Sequence, residues 1–285
     1  MTSGEFVQGK FQVWARRKGI ALQGSAGERG AKNYTPTVEN NLFGGALLPE
    51  VRAAFDDGAG GELRGKVKSM QALHSSAAMA VNLFQYWLGN RDFSTLAKLL
   101  DVPSGGIEAV GFERKYPVCA DWKDRGFNAP PHLDLGVDYK NGGRVGVECK
   151  LFEPYGRLQH APLRPPYLAL KDAWKGIPAC RALAEELNEG EAGFGRLGPA
   201  QLLRHVLGLR FGAPADKVRL LYLYLDAPGD EAAEQRAEIT RFQERIADDP
   251  VRFIAMTVQE FILRAVDRCG QEHGEYVSYL TDRYL

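Results

Sequence analysis

Residues 131–152 read PHLDLGVDYKNGGRVGVECKLF, and this stretch decides how the rest of the chain is interpreted. Two apolar, alternating runs flank the turn sequence Asn141-Gly142-Gly143, which is a strong signal for a β-hairpin. Asp134 lies in the first run, and Glu148 and Lys150 lie in the second. The stretch therefore predicts two carboxylates and an ammonium group on adjacent strands, an arrangement that suits a divalent metal and an attacking water.

The length of the hairpin loop decides whether those carboxylates can meet. Side chains alternate along a strand, and residues directly opposite each other in an antiparallel pair share a face. A two-residue turn at 141–142 would place Asp134 opposite Cys149 and separate the carboxylates across the sheet. A three-residue loop at 140–142 that ends in a left-handed glycine places Asp134 opposite Glu148. We predict this loop, or another odd count or bulge that restores the same face.

The bulk composition is that of an ordinary folded chain. The 285 residues are 45% apolar and 25% charged, and the formal net charge is zero. A chain of this size can bury a substantial core, and the zero net charge argues against a pure DNA-binding module, which usually has a basic excess. The four cysteines show no paired spacing, which indicates reduced thiols in a cytoplasmic protein. The N-terminus lacks an apolar signal core, and no run approaches membrane-spanning length, so no membrane association is expected.

Hydrophobic periodicity predicts the order of the elements. We expect an extended or partly ordered arm over residues 1–45 and a single domain over 46–285. Helices are predicted at about 49–55, 67–89, 93–100, 167–187, 199–209, 230–247, 251–267 and 271–284, and strands at 109–118, at both arms of the 132–152 hairpin, and at 218–225. This order predicts an α/β fold with a mixed central sheet flanked by helices, a core over about 67–225 and extra C-terminal helices over 228–285.

With that order and those residues, the chain resembles the PD-(D/E)xK nuclease superfamily, whose restriction-endonuclease-like core has the order α-β-β-β-α-β. The resemblance covers about residues 67–225, with Asp134 as the motif aspartate and Glu148-Cys149-Lys150 as the E-x-K element. Other segments resemble a bacterial branch of restriction-type nucleases, namely Ala80–Phe84, Gly111–Glu113, Gln201–His205 and Asp282–Tyr284. One departure is that Leu133 stands directly before Asp134, where the family motif often has proline.

The resemblance implies an endonuclease that hydrolyses phosphodiester bonds of DNA by an activated water, in restriction or genome defence. Mg²⁺, for which Mn²⁺ can substitute, would be held by Asp134, Glu148, the backbone carbonyl of Cys149 and Glu113, and Lys150 would sit beside the attacking water. DNA is the expected partner, with RNA left open. Cleavage of a duplex needs two active sites, which implies a homodimer.

Weaker candidates for substrate binding surround this motif. Gln201 and His205 are four residues apart and share one helix face. Asn82 lies on the long helix, and His132 and Arg157 flank the hairpin.

Several alternatives stay open. The polar residues of the hairpin could be solvated positions on a half-exposed strand, and His205 could be a packed helix histidine. The chain could be a non-catalytic member of the same fold that binds nucleic acid or protein. It could also be a hydrolase of nucleotides, although no glycine-rich phosphate loop supports that interpretation.

Overall fold

A computed structural model describes residues 1–26, 31–58, 60–156, 162–190 and 193–285. Within these residues the chain forms one five-stranded sheet from Ile107–Lys115 (β1), His132–Tyr139 (β2), Arg144–Lys150 (β3), Val218–Tyr224 (β4) and Arg252–Thr257 (β5). The strands lie in chain order, with β1 to β3 antiparallel and β3 to β5 parallel. The predicted α/β fold with a mixed sheet is therefore confirmed.

The described residues also form ten α-helices: Ser3–Arg17 (α1), Pro49–Asp57 (α2), Ser76–Gly89 (α3), Phe93–Leu99 (α4), Pro165–Ala169 (α5), Pro178–Glu189 (α6), Pro199–Arg210 (α7), Asp230–Arg245 (α8), Val258–Arg268 (α9) and Gly274–Tyr284 (α10). Proline begins α2, α5, α6 and α7, because its fixed φ suits the first helical position and no amide bond is lost there. No helix in this part of the chain is both long and apolar enough to cross a membrane.

Two apolar cores cover the two faces of the sheet. On one face, side chains of α1, α2, α3, α4, α9 and α10 pack against Leu135, Val147 and Leu223. On the other face, α5, α6, α7 and part of α8 pack against Leu220 and Tyr222. We call these the α3 face and the α7 face. Strand β4 is buried on both faces, which is why its sequence is a continuous apolar run.

The N-terminal segment begins with a helix rather than with the predicted extended or partly ordered arm. Val7, Phe11 and Trp14 are buried on one side of α1. Phe11 packs edge-on against Tyr284 of α10, with ring centroids 5.8 Å apart. The prediction of an extended or partly ordered arm is wrong for residues 3–17. It was based on the polar, glycine-rich composition and overlooked apolar residues that recur at helical spacing.

The helix predicted at 251–267 is wrong in its first part. Residues 252–257 form β5, which pairs in parallel with β4. Helix α9 then begins at Val258, behind a capping box made by Thr257 and Glu260. Over so few residues an apolar run fits either period, and pairing with a distant strand decides the outcome.

Two other predicted helices are shortened by their local sequence. The helix expected over 67–89 begins at Ser76, where the Ser75 side chain accepts a hydrogen bond from the Ala78 amide. The helix expected over 167–187 is broken, since α5 ends at Ala169 and α6 begins at Pro178. Proline lacks an amide hydrogen and so starts a new helix there.

Candidate active site

The hairpin between β2 and β3 has the predicted three-residue loop. The Tyr139 amide donates to the Gly143 carbonyl at 3.0 Å, and the Gly142 amide donates to the Tyr139 carbonyl at 2.9 Å. Gly142 is left-handed, with φ of 79°. Glycine adopts this conformation without the steric cost that a side chain would add. The loop prediction is therefore confirmed.

This loop fixes the register of the two carboxylates. Leu135 pairs with Val147 across the hairpin, and the same register sets Asp134 opposite Glu148. The Cys149 amide donates to Asp134 Oδ2 at 2.6 Å. The side chain of Asp134 thus helps to join β2 to β3 at the end of the hairpin.

The alternation of side chains breaks next to these carboxylates. On β1, Phe112 packs on the α3 face and Tyr116 on the α7 face, and on β2 the same change occurs between Leu135 and Leu133. Glu113 lies at the break with φ of 47°. This conformation costs a residue with a side chain about 1–2 kcal/mol, and strain of this kind is concentrated at functional sites.

Glu148 is the centre of the polar cluster and is 4% exposed. Lys150 Nζ lies 2.6 Å from Glu148 Oε1, and Gln201 Nε2 donates to the same oxygen at 2.8 Å. His205 Nε2 lies 3.0 Å from Oε2. Burial opposes ionisation of the carboxyl, but Lys150 and His205 outweigh it and lower the Glu148 pKa to about 2. Glu148 is therefore ionised at neutral pH.

Helix α7 supplies two of these contacts. Gln201 and His205 lie one turn apart near its start, and the apolar side chains Leu202, Leu203 and Val206 hold the helix against the sheet. His205 is 3% exposed. Both residues are brought to the cluster, where they contact Glu148.

Asp134 differs from Glu148 in its electrostatic surroundings. Burial raises the pKa of the Asp134 carboxyl well above its usual value, and the negative charge of Glu148 raises it further. Lys150 and the Cys149 amide act in the opposite direction but do not cancel these effects. The two facing carboxylates repel each other, and a cation between them would relieve that repulsion.

Lys150 is held in its charged form. Burial favours the neutral amine, but the charges of Glu148 and Glu153 outweigh burial and raise the pKa of Lys150 above its ordinary value. Lys150 is therefore a cation at neutral pH. It can supply positive charge and hydrogen-bond donors, whereas a general base would need a pKa near the working pH.

Glu153 is a neighbouring residue that the sequence reasoning missed. Its carboxylate accepts hydrogen bonds from the Leu151 and Phe152 amides at 3.1 and 3.0 Å and from Ser76 Oγ at 2.7 Å. It fixes the chain where β3 ends and ties this point to the start of α3. Its position three residues after Lys150 is the only signal in the sequence that could have indicated it.

A second group of polar side chains gathers around Glu113. Glu113 Oε2 lies 3.7 Å from His132 Nδ1, so two of the predicted residues meet here. A Cβ at Gly58 would stand 2.9 Å from the same oxygen. Glu62 approaches from the loop after α2, where burial raises the pKa of its carboxyl and the charge of Glu113 raises it further. Glu62 was not predicted, because its loop has no periodicity.

Asn82 is not brought to these carboxylates. It is 2% exposed, and its amide nitrogen donates to the Asn41 carbonyl at 3.1 Å and to the Tyr284 hydroxyl at 3.0 Å. Its side-chain oxygen accepts from the Phe43 amide at 2.7 Å. The expectation of a substrate contact is corrected, because these bonds give Asn82 a structural role on the α3 face. Arg157 lies outside the described residues.

The donor set suits a hard divalent cation. Asp134 and Glu148 offer carboxylate oxygens, and Mg²⁺ is usually bound by one or two carboxylates together with water and substrate phosphate. In the part of the chain that the structure describes, no three His, Cys, Asp or Glu side chains are grouped as a ready metal site. Lys150 and Gln201 contact Glu148 instead, so a bound cation would share this carboxylate with them.

Comparison with known proteins gives the family of the chain. The sequence profile of the family described as Restriction Endonuclease associating with ARP matches residues 10–285. The chain belongs to this family. No curated protein and no solved structure matches the chain.

Proposed function

We propose that this protein is a Mg²⁺-dependent endonuclease of the PD-(D/E)xK type that hydrolyses phosphodiester bonds of DNA. One observation carries the proposal: Asp134 and Glu148 face each other at the end of the hairpin, and Lys150 Nζ lies 2.6 Å from Glu148 Oε1. Membership in a restriction endonuclease family supports DNA as the substrate.

The cation would be held by Asp134, Glu148, the Cys149 carbonyl and Glu113, and Mn²⁺ can replace Mg²⁺ in such a site. When bound, it supplies positive charge to the scissile phosphate and lowers the pKa of water. Glu148 is ready for this role because its low pKa keeps it ionised. Asp134 gives up its proton more reluctantly, so binding of the cation should become tighter as the pH rises.

The other side chains of the cluster bind and orient. The ammonium group of Lys150 donates hydrogen bonds to the attacking water and offsets the negative charge of the phosphate. Gln201 and His205 hold the Glu148 carboxylate in place, so they act by positioning it rather than by touching the phosphate. Water attacks the phosphorus in line, the bond from phosphorus to the opposite ester oxygen breaks, and the proton of the water passes to solvent, so no covalent enzyme intermediate forms.

Plasmid cleavage with Mg²⁺ or Mn²⁺ tests the proposal. Wild type should cut the plasmid, and Lys150→Ala should lower the rate by about 10²-fold or more, because a charge aimed at the reacting group is lost. Lys98→Ala removes an exposed lysine of α4 and should cleave like wild type. Equal rates for Lys150→Ala and wild type, or an intact plasmid with wild type in both metals, would contradict the proposal.

A non-catalytic member of the same fold is the second candidate function. It is favoured by the contacts of Glu148 with Lys150, Gln201 and His205, because a carboxylate with three partners could serve as a structural ion pair. DNA or protein binding without cleavage in either metal would support this candidate. The family description names an association with ARP. We propose that this chain also associates with ARP, whichever of the two candidate functions it has.

We also propose a homodimer, because cleavage of both strands of a duplex needs two active sites. Sedimentation equilibrium of the full chain measures the assembly. The mass of a single chain, with and without DNA, would contradict the homodimer.

A further inference from the structure

A loop rich in basic residues lies between α2 and α3. Residues 61–68 read Gly-Glu-Leu-Arg-Gly-Lys-Val-Lys, and we call them the basic loop. Arg64 and Lys66 are exposed, and Lys68 is half-buried. The whole chain has no net charge, so this local excess of positive charge does not follow from composition.

The basic loop has an inner and an outer side. Leu63 packs against the core of the α3 face, and Glu62 Oε2 is buried without a hydrogen-bond partner among the described residues. The Met70 amide donates to the Glu62 carbonyl at 3.2 Å, and the Arg64 amide donates to the Gly61 carbonyl at 2.9 Å. The loop is thereby fixed from within, and its cationic side chains take the outer side.

Contacts place the segment that leads into the basic loop beside Glu113. Lys115 Nζ donates to the Asp57 carbonyl at 2.9 Å, which holds the end of α2 to β1. The next residue, Gly58, lies against Glu113, where a Cβ would stand 2.9 Å from Oε2. The chain therefore enters the basic loop beside Glu113, at the end of the sheet that carries the proposed active site.

The cations of the basic loop have no carboxylate of their own. Over the ranges that the structure describes, neither Arg64 nor Lys66 nor Lys68 forms an ion pair, whereas the nearby Lys115 pairs with Asp57. Arg64 Nη2 donates to the Asp56 carbonyl at 3.4 Å, a contact that leaves the charge of the guanidinium unneutralised. The charge of these side chains is therefore available to a ligand. Carboxylates at the proposed active site repel a polyanion, and positive charge beside them would offset that repulsion.

We propose that the basic loop binds the phosphate backbone of duplex DNA and holds the DNA against the site of Asp134 and Glu148. The proposal rests on the proposed function and names the surface that the substrate would use. Contacts with phosphate position a duplex without reading its bases. The loop should therefore contribute affinity that depends strongly on salt, and little sequence preference.

The salt dependence of binding tests this inference. Fluorescence anisotropy with a labelled DNA duplex is measured over a range of KCl concentrations, in EDTA and in the Lys150→Ala background, so that the DNA stays intact and K⁺ is the cation that competes for phosphate. Adding Arg64→Gln and Lys66→Gln should weaken binding and reduce the slope of log Kobs against log [KCl] by about 1.8, because each phosphate contact contributes about 0.9.

Two matched controls accompany this variant. Arg91→Gln with Lys98→Gln removes the same residue types from exposed positions next to and within α4, and it should keep the parental affinity and slope. Arg64→Lys with Lys66→Arg keeps both charges and should also keep the slope. Equal melting temperatures for all variants show that they fold.

The outcomes separate this inference from the proposed function. If wild type cleaves DNA and the Arg64→Gln, Lys66→Gln variant keeps the parental affinity and slope, the inference is wrong and the proposed function stands. If wild type neither binds nor cleaves DNA, both are wrong. A reduced slope with duplex RNA but an unchanged slope with DNA would overturn the assignment to DNA.

Discussion

Glu113 keeps a left-handed backbone, with φ of 47°, at the point where β1 changes face. Its side chain is 10% exposed and lies 3.7 Å from His132 Nδ1. A residue stays in such a conformation only when its surroundings hold it there. The surroundings that hold Glu113 in this strained conformation therefore also fix its carboxylate beside the proposed site.

Glu113→Gly should separate strain from function. Relief of about 1–2 kcal/mol of strain, partly offset by the greater entropy of glycine in the unfolded chain, should raise the free energy of unfolding by about 0.5–1 kcal/mol relative to Glu113→Gln. Both variants should cleave DNA more slowly than wild type. Urea denaturation measures the difference, and a Glu113→Gly variant less stable than Glu113→Gln would show that the backbone is not strained.

Asp134 should make the folded protein less stable as the pH rises. Its pKa is raised in the folded state by burial and by Glu148, so the folded state keeps a proton that the unfolded chain releases near pH ~4. The carboxyl therefore opposes folding increasingly as the pH rises from the unfolded pKa to the folded pKa, and fully above it.

In EDTA, Asp134→Asn should be more stable than wild type by about 1 kcal/mol at about pH 8. The gain should disappear at about pH 4, where wild type also carries the proton. Urea denaturation at both pH values measures it. A gain of equal size at both would contradict the raised pKa of Asp134.

At the scale of elements, the hairpin of β2 and β3 could be predicted from the sequence because the residues that determine it are close together in the chain. The turn residues and the alternation of side chains predicted the hairpin, and the condition that the two carboxylates share a face selected an odd loop, which the structure has. Strand β5 and helix α1 could not be predicted in this way. Each depends on a partner distant in sequence, β4 for the strand and α10 for the helix.

Gly142→Ala should destabilise the hairpin by about 1 kcal/mol, because alanine at φ of 79° is strained. Gly9→Ala is the matched control, since Gly9 lies in α1 and a Cβ there meets nothing within 4 Å. That change should stabilise the protein by about 0.5–1 kcal/mol, because alanine favours helix. Urea denaturation of both variants measures this, and a change of the same sign in both would contradict the role of the loop.

The candidate site was only partly predictable, for the same reason. Asp134, Glu148 and Lys150 follow from local strand geometry, and Gln201 and His205 from helical spacing. The change of face at Glu113 and the position of Glu62 near it depend on how α2 and the following loop pack against the sheet. Hydrophobic periodicity in the sequence does not predict such contacts.

At the scale of the whole molecule, Arg283 joins helices from both ends of the chain. It is 1% exposed, and its Nη1 donates to the Asn41 carbonyl at 2.9 Å and to the Tyr279 hydroxyl at 2.8 Å. Its guanidinium lies 4.2 Å from the centre of the Trp14 ring. The segment Asp282–Tyr284, which contributed to the resemblance, is therefore part of the architecture on the α3 face.

Arg283→Met should lower the free energy of unfolding by about 3 kcal/mol, because it leaves buried acceptors without a donor. Arg17→Met is the control, since Arg17 pairs with Asp282 at 2.9 Å with its side chain 58% exposed, and its loss should cost less than about 1 kcal/mol. Urea denaturation compares the two. Equal losses would show that the buried arginine has no special role in joining the ends.

Cys149 stands between Glu148 and Lys150 in the sequence but projects into the core of the α3 face, where it is 1% exposed. Burial raises the pKa of its thiol well above the usual value, and the charges of Asp134 and Glu148 raise it further, so little reactive thiolate exists in the native state. Cys119 and Cys269 are more accessible. A thiol reagent would modify Cys149 only after β3 had left the sheet. The rate at which Cys149 is modified would therefore report how often that strand opens.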